Sequence, residues 1–278
     1  MSKAFVDTTI LTDILVKSGE KYNLAKKALA NYETTFLPVY AIKEFKAGPL
    51  RNYVYAHNKL VSTKSYSETI DAFHKLSRTP QRYKTSTALE AIKVAHDTSI
   101  AKLTPKDLVS KYEDSSLGMD KIIYDELRLA LKVIIFKAWK RRRKITTDVI
   151  FPLSCYSEKA PFEASTGLIE DKPVACDNGT DCCIKKILLE DLKQLKLIKG
   201  AIENDSEKPE NANSLKVIKK ILKHPRCNLE NRECRWLGDA VFAFLCPNDA
   251  ELLTTNLKDH EPLALALGKK ATSPFLMG

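Results

Sequence analysis

"KAFVDTTILTDIL", residues 3–15, is the stretch from which the fold can be worked out. The apolar run before Asp7 is typical of a short buried strand. After it, apolar residues recur at the spacing of a helix, at Ile10, Leu11, Ile14 and Leu15. A strand followed by a helix favours an α/β fold with a parallel sheet. Ligands of such folds bind at the carboxyl ends of the strands, so Asp7 is a candidate site residue.

Two later segments carry carboxylates in comparable places. "TTFLPVYAIKEF", residues 34–45, predicts an extended piece and then a helix, with Pro38 in its first turn and Glu44 further along. "CRWLGDAVFAFLCP", residues 234–247, places Asp239 at the start of an apolar helix. Both carboxylates are therefore expected near the edge of the sheet where Asp7 lies.

A last strand is predicted near the carboxyl end of the chain. "ELLTTN", residues 251–256, ends in Thr255 and Asn256, and a turn and helix with Asp259 follow. His260 comes next to Asp259 and is expected to be exposed to water in the turn. The carboxyl ends of parallel strands share one edge, so these polar residues are expected to meet Asp7 there.

Taken in order, these motifs resemble a known family. They are "VDTT" with Asp7, "YAIKEF" with Glu44, "GDAVFAF" with Asp239, and "LLTTNLKDH" with Asn256 and Asp259. The set resembles the PIN domain, the fold of many metal-dependent ribonucleases. The resemblance implies an α/β, PIN-like three-layer fold with a central parallel sheet, built from residues 1–50 and 232–278. Residues 51–231 are then a mostly helical insertion, far longer than the family usually has between these motifs.

The resemblance also implies an activity, the hydrolysis of RNA phosphodiester bonds by a metal-dependent endoribonuclease. Its catalytic residues are expected to be Asp7, Glu44, Asp239, Asn256 and Asp259. Converging carboxylates repel one another unless a hard divalent cation neutralises them. Asp7, Glu44 and Asp239 are the expected ligands of Mg²⁺ or Mn²⁺, with Glu44 either a ligand or an orienter of the attacking water. Such hydrolysis leaves a 5′-phosphate and a 3′-hydroxyl.

Three hydroxyl side chains next to these motifs are expected to contact the substrate. Thr8, Thr9 and Thr255 can donate hydrogen bonds to a phosphate or to metal-bound water. The alternative for the carboxylates is a purely structural role, because aspartate is common at helix amino termini and exposed glutamate on helix surfaces.

A basic stretch is the second candidate for substrate contact. "KAWKRRRK", residues 137–144, ends a long predicted helix. Lys140, Arg141, Arg142 and Arg143 can neutralise backbone phosphates, and an exposed Trp139 can stack on an unpaired base. The alternative is a favourable cationic helix terminus with Trp139 packed in the core.

The amino-acid composition indicates which kind of molecule the protein binds and where it is expected to be found. The chain has 278 residues and a formal charge of +10, which favours a polyanionic partner, RNA first, with DNA not excluded. It contains no run of 18 apolar residues and no pattern of a secretory signal at its amino terminus, so a soluble cytoplasmic protein without a membrane segment is expected.

The seven cysteines all lie beyond residue 150. An odd number does not indicate an evenly cross-linked secreted scaffold, so reduced thiols are expected. Cys176, Cys182, Cys183, Cys227 and Cys234, with His224, offer soft ligands, yet no C-x-x-C or H-x-x-x-H pair occurs. Zinc is therefore the lesser alternative to free thiols.

Two further functions remain open from the residues alone. One is a catalytically silent PIN-like nucleic-acid-binding or scaffold protein, in which the basic stretch matters and the carboxylates do not. The other is a phosphohydrolase of small phosphates. Because the PIN family includes toxins of toxin–antitoxin systems, the resemblance also suggests a toxin or phage-defence effector with an inhibitory protein partner, and pairing into a homo-oligomer.

Overall fold

The computed structural model of the chain describes residues 2–102, 118–171, 182–204 and 209–276. They contain a five-stranded parallel sheet, which confirms the predicted α/β class. Its strands are β1 (Lys3–Val6), β2 (Thr34–Pro38), β3 (Asp148–Ile150), β6 (Glu251–Leu253) and β7 (Lys270–Thr272). A separate antiparallel pair is formed by β4 (Phe162–Glu163) and β5 (Ile169–Glu170).

Strand β1 lies at the centre of the sheet, whose order is β3-β2-β1-β6-β7. From β1 the chain builds outward on one side through β2 and β3, and it later adds β6 and β7 on the other side. The strand order therefore reverses between β1 and β6, which is where open α/β sheets bind ligands. Asp7 follows β1 and Thr254 follows β6, so these two residues flank the reversal.

Helices make up most of the remaining described chain, including most of the described residues in the range 51–231. They are α1 (Thr8–Val16), α2 (Gly19–Ala30), α3 (Val39–Phe45), α4 (Arg51–Thr63), α5 (Tyr66–Ser77), α6 (Arg82–Thr98), α7 (Met119–Arg141), α8 (Cys183–Glu190), α9 (Leu192–Asn204), α10 (Pro209–Lys223), α11 (Asn231–Trp236), α12 (Gly238–Leu245) and α13 (Leu257–Ala266). In the part of the chain that the structure describes, no helix is both long and apolar enough to cross a membrane.

The sheet includes one strand from the range that the sequence assigned to the insertion. The hydroxyl of Thr147, just before β3, donates to the carbonyl of Thr35 (2.8 Å), and the Thr147 N–H donates to the Thr35 hydroxyl (3.0 Å). These bonds align β3 with β2. A π-helical turn at Lys46–Leu50 also joins α3 to α4 without a break, so the predicted boundary at residue 50 falls inside a helix. The core thus extends beyond residues 1–50 and 232–278.

Aromatic side chains pack around the sheet beneath the edge that Asp7 marks. Phe242 of α12 makes edge-to-face contacts with Phe5 (centroids 6.3 Å apart), Tyr40 (5.5 Å) and His260 (5.7 Å). Phe5, Tyr40 and Phe242 are all buried. This cluster joins β1, α3, α12 and α13, the elements that carry the candidate site residues.

Replacing Phe242 by alanine is expected to lower the free energy of unfolding by about 3–5 kcal/mol, because it leaves a cavity where three rings meet. Urea denaturation measures the change. Tyr83→Ala is the matched control, since Tyr83 is 79% exposed, and it is expected to cost less than about 0.5 kcal/mol. A similar loss of unfolding free energy in both variants would show that the aromatic cluster does not stabilise the core.

Candidate active site

Asp7 is the most deeply placed carboxylate of the predicted site. Its side chain is 3% exposed, and the residue caps the amino terminus of α1. One oxygen accepts from the Thr8 N–H (2.6 Å), and the other accepts from the hydroxyls of Thr9 (2.7 Å) and Thr254 (2.8 Å). The bond to Thr254 crosses from the end of β1 to the end of β6. Asp7 is therefore both a helix cap and a fixed carboxylate at the point where the strand order reverses.

Glu44 reaches the same place from α3. Its Oε2 accepts from the Thr8 hydroxyl (2.8 Å), and Tyr40 also hydrogen-bonds to the carboxyl group. Gly238, at the start of α12, lies against the other oxygen: a Cβ at this position would be 2.7 Å from Oε1. A larger residue at position 238 would therefore require the Glu44 carboxyl group to shift.

Asp239 completes the group from the first turn of α12. Its side chain is 51% exposed, in contrast to that of Asp7. The imidazole of His260 lies between them, with Nε2 at 3.6 Å from Asp7 Oδ2 and 3.3 Å from Asp239 Oδ1. The structure thus brings together Asp7, Glu44 and Asp239, the "carboxyl cluster", with Asp239 at its open side.

His260 is the site residue that the sequence analysis misplaced. It was expected to be exposed in a turn, yet it is 2% exposed and faces two carboxylates. The helix α13 begins earlier than expected, at Leu257, so residue 260 points inward onto Phe242. The sequence signal for this inward position was the spacing, because His260 comes one helical turn after Asn256.

The environment of Glu44 changes its acidity. The pKa of Glu44 is raised from 4.5 to about 8, mainly by burial and also by the nearby charges of Asp7 and Asp239, while hydrogen bonds from Thr8 and Tyr40 act in the opposite direction. At neutral pH the cluster by itself therefore keeps a proton. Like charges held this close are the condition that a bound cation relieves.

The donor set of the cluster fits a hard divalent cation, because all three side chains offer carboxylate oxygens. Within the described residues, however, no three His, Cys, Asp or Glu side chains are already arranged to hold a metal ion. His260 and Thr8 link the carboxylates instead. The chemistry of the ligands matches Mg²⁺ or Mn²⁺, and the raised pKa of Glu44 keeps its carboxyl group uncharged at neutral pH when no cation is bound.

The remaining polar residues predicted for the site lie beside the cluster. The Asn256 amide donates to Asp259 Oδ2 (2.7 Å), so these two side chains pair with each other. The Thr255 N–H donates to the Thr9 hydroxyl (3.0 Å). The hydroxyls of Thr8 and Thr9 were predicted to face substrate, but here they donate to the carboxylates of Glu44 and Asp7. They hold the cluster in place.

No family model, curated protein or solved structure matches the chain. The PIN resemblance therefore stays a prediction, carried by four short motifs. What the structure adds is the position of their carboxylates at one edge of a parallel sheet.

The basic stretch does not join the carboxyl cluster. The chain runs from Lys140, Arg141, Arg142 and Arg143 into Thr147, which bonds to Thr35 near the amino end of β2. The cluster lies at the other end of these strands, and a five-residue strand is about 16 Å long. Trp139 is 5% exposed, so it packs in the core as the structural alternative predicted.

Two of the four basic residues are also engaged within the protein. Arg142 stacks on the Trp139 ring at 3.7 Å from the centroid, and both Arg142 and Arg143 pair with Glu158. Lys140 and Arg141 remain exposed. Arg142 therefore acts first as a packing residue.

Glu44→Gln tests the raised pKa through stability. Below about pH 4.5 the folded and unfolded states both hold the Glu44 proton, and as the pH rises toward 8 the unfolded state releases it first. Ionisation of Glu44 thus progressively destabilises the folded wild type. The free energy of unfolding of the variant is expected to exceed that of the wild type by a few kcal/mol at about pH 9 and by much less at about pH 5. A difference of one pKa unit between the folded and unfolded states corresponds to about 1.4 kcal/mol.

Urea denaturation in EDTA at both pH values measures this difference. Glu20→Gln is the control, because Glu20 is exposed in the first turn of α2, and it is expected to change stability equally at the two pH values. A pH-independent effect of Glu44→Gln would show that the Glu44 carboxyl group is not perturbed.

Proposed function

We propose that the chain is a metal-dependent endoribonuclease with a PIN-like fold, acting through the carboxyl cluster. The observation that carries this proposal is the convergence of Asp7, Glu44 and Asp239 where the strand order reverses, at a place where burial, with a smaller contribution from the other two carboxylates, raises the pKa of Glu44 to about 8. Titratable groups with strongly perturbed pKa values cluster at functional sites.

Asp7, Glu44 and Asp239 would hold Mg²⁺ or Mn²⁺. A bound ion of this kind supplies a Lewis acid for the phosphate and lowers the pKa of a water molecule. Asp7 is fixed by three hydrogen bonds and needs little reorganisation, whereas Asp239 faces solvent, from where the substrate arrives. Glu44 gives up its proton when positive charge enters the cluster, because its raised pKa depends partly on the neighbouring carboxylates.

Two exposed cations lie close in the chain to residues of the site. Arg235, near the end of α11, comes four positions before Asp239, and Lys258 lies in the first turn of α13 next to Asp259. They are better placed than the basic stretch to contact phosphates of an RNA strand bound at Asp239. The net charge of +10 favours such a polyanion over a small neutral substrate.

Asp7→Asn and Asp239→Asn are each expected to lower cleavage of total RNA at least about 100-fold, because each removes a charged metal ligand. The assay compares Mg²⁺, Mn²⁺ and EDTA, and end-group analysis is expected to show 5′-phosphates. Asp249→Asn is the matched control: it makes the same substitution at an exposed carboxylate near the amino end of β6, paired with Lys3, and is expected to leave the rate unchanged.

Other results would favour the alternative functions. RNA binding without cleavage under any metal condition would indicate a silent nucleic-acid-binding protein. Cleavage of nucleotides or model phosphodiesters, with RNA untouched, would indicate a small-phosphate phosphohydrolase. RNA cleavage by the Asp7→Asn variant at the wild-type rate would show that the carboxyl cluster is not the catalytic site.

Removing Arg235 and Lys258 together is expected to weaken RNA binding and to lower the slope of log affinity against log salt by about 1.4, since each of two phosphate contacts on a single strand contributes about 0.7. Binding is measured in the Asp7→Asn background, so that the RNA stays intact. Lys140→Ala with Arg141→Ala removes the same charge at the other end of the strands. If that pair lowers the slope instead, RNA binds along the basic stretch.

A further inference from the structure

Two cysteine thiols and a lysine meet beside α3, away from the carboxyl cluster. The Sγ atoms of Cys155 and Cys183 are 3.0 Å apart, and Lys43 Nζ donates to Cys155 Sγ at 2.9 Å. Cys155 lies in the loop after β3, and Cys183 is the first residue of α8. Residues 28 positions apart in the chain thus form a close dithiol.

The dithiol is within reach of a small reagent. Cys183 is partly exposed. Cys155 lines a cavity of about 60 Å³, together with Lys43, Lys46 and Arg51. A cavity needs only roughly 10–15 Å³ of such volume to hold one water molecule, so a molecule the size of hydrogen peroxide fits there. It would lie beside three cationic side chains and the Asp171 carboxylate, which pairs with Lys46.

A metal centre is the competing explanation for the thiols. A second pair, Cys182 and Cys234, is hydrogen-bonded nearby. Even so, among the residues that the structure describes, no three of the Cys, His, Asp or Glu side chains are arranged as metal ligands. Cys176, which the zinc alternative also invoked, lies outside the described residues. The hydrogen bonds join the thiols in twos, while electrostatic interactions also link Cys182 to Cys183 and Cys155 to Cys234.

We propose that Cys155 and Cys183 are a modification site, a dithiol that a hydroperoxide oxidises to a disulfide. The Cys183 thiolate attacks one oxygen of hydrogen peroxide, the O–O bond breaks, and hydroxide leaves as water after taking up a proton, which gives a sulfenic acid. The Cys155 sulfur then attacks the Cys183 sulfur, the S–O bond breaks, and the second water forms with the proton of the Cys155 thiol. Two thiols are oxidised by two electrons, and one peroxide is reduced to two waters.

The surroundings assign the roles of the two sulfurs. The thiol and backbone N–H of Cys155 hydrogen-bond to Cys183, and these bonds, the Lys43 charge and the Ser154 hydroxyl hold the pKa of Cys183 well below its usual range. Sharing that hydrogen bond raises the pKa of Cys155. Cys183 is also the more exposed of the two thiols, since Cys155 is buried. Exposure and thiolate character both favour attack on peroxide, so Cys183 is the attacking residue and Cys155 the resolving one.

The disulfide would tie the loop after β3 to the amino terminus of α8. It would also change the sulfur to which Lys43 donates, one residue before Glu44. The proposal does not depend on the nuclease activity, because the dithiol and its oxidation are defined by the sulfur contacts alone.

Disulfide mapping of the full chain after treatment with hydrogen peroxide tests the proposal. Digestion with an Asp-specific protease and mass spectrometry are expected to show a Cys155–Cys183 cross-link that dithiothreitol reverses. In Cys155→Ser, dimedone is expected to label Cys183 severalfold more than in the wild type, because the sulfenic acid cannot resolve. Cys246→Ser, a buried thiol in contact with its own loop, is the control and is expected to leave the cross-link intact.

Three results would overturn the proposal. They are a full count of free thiols after peroxide treatment, a disulfide that joins any other pair, and one equivalent of zinc in the native protein, with thiols that react only after the metal is chelated. Circular dichroism checks that Cys155→Ser is folded, and the mapping of the wild type stands if it is not.

Discussion

Hydrogen bonds to the Asp7 carboxylate join the two sides of the sheet at the point where its strand order reverses. The Thr8 N–H fixes the carboxylate to α1, and the hydroxyl of Thr254 fixes it to the end of β6. β1 lies between β2 and β6, so this short strand connects everything built on either side. The positions of Glu44, Asp239 and His260 depend on this edge of the sheet, because each residue is carried by a helix that packs onto it.

The same edge concentrates charge that the fold does not neutralise. A buried carboxylate costs free energy unless it is paired or protonated. Here Asp7 is hydrogen-bonded, Glu44 keeps its proton up to about pH 8, and His260 faces Asp7 and Asp239. Gly238 lets α12 approach without displacing the Glu44 carboxyl group, which a Cβ at this position would require to move.

The spacing of apolar residues predicted most of the strands and helices that carry the site. The features that it did not predict depend on contacts between residues far apart in the chain. The strand at Asp7, the helix of Glu44 and the late strand before Asn256 follow from apolar spacing, and so does the parallel sheet. β3 was not predicted because it has three residues and follows a basic run, and it is a strand only because it pairs with β2. His260 and the Cys155–Cys183 contact depend on how distant elements pack, which spacing in the sequence does not encode.

The central place of β1 also has a consequence in time. β1 is made first, but its partner β6 is made much later, and the bond between Asp7 and Thr254 spans 247 positions. At the ribosome's rate of about 5–20 residues per second, roughly 12–50 s separate the two. Contacts so distant in sequence also slow folding itself. Asp7 and Glu44 are therefore synthesised well before Asp239 and His260. The candidate site is incomplete while the chain is still being translated.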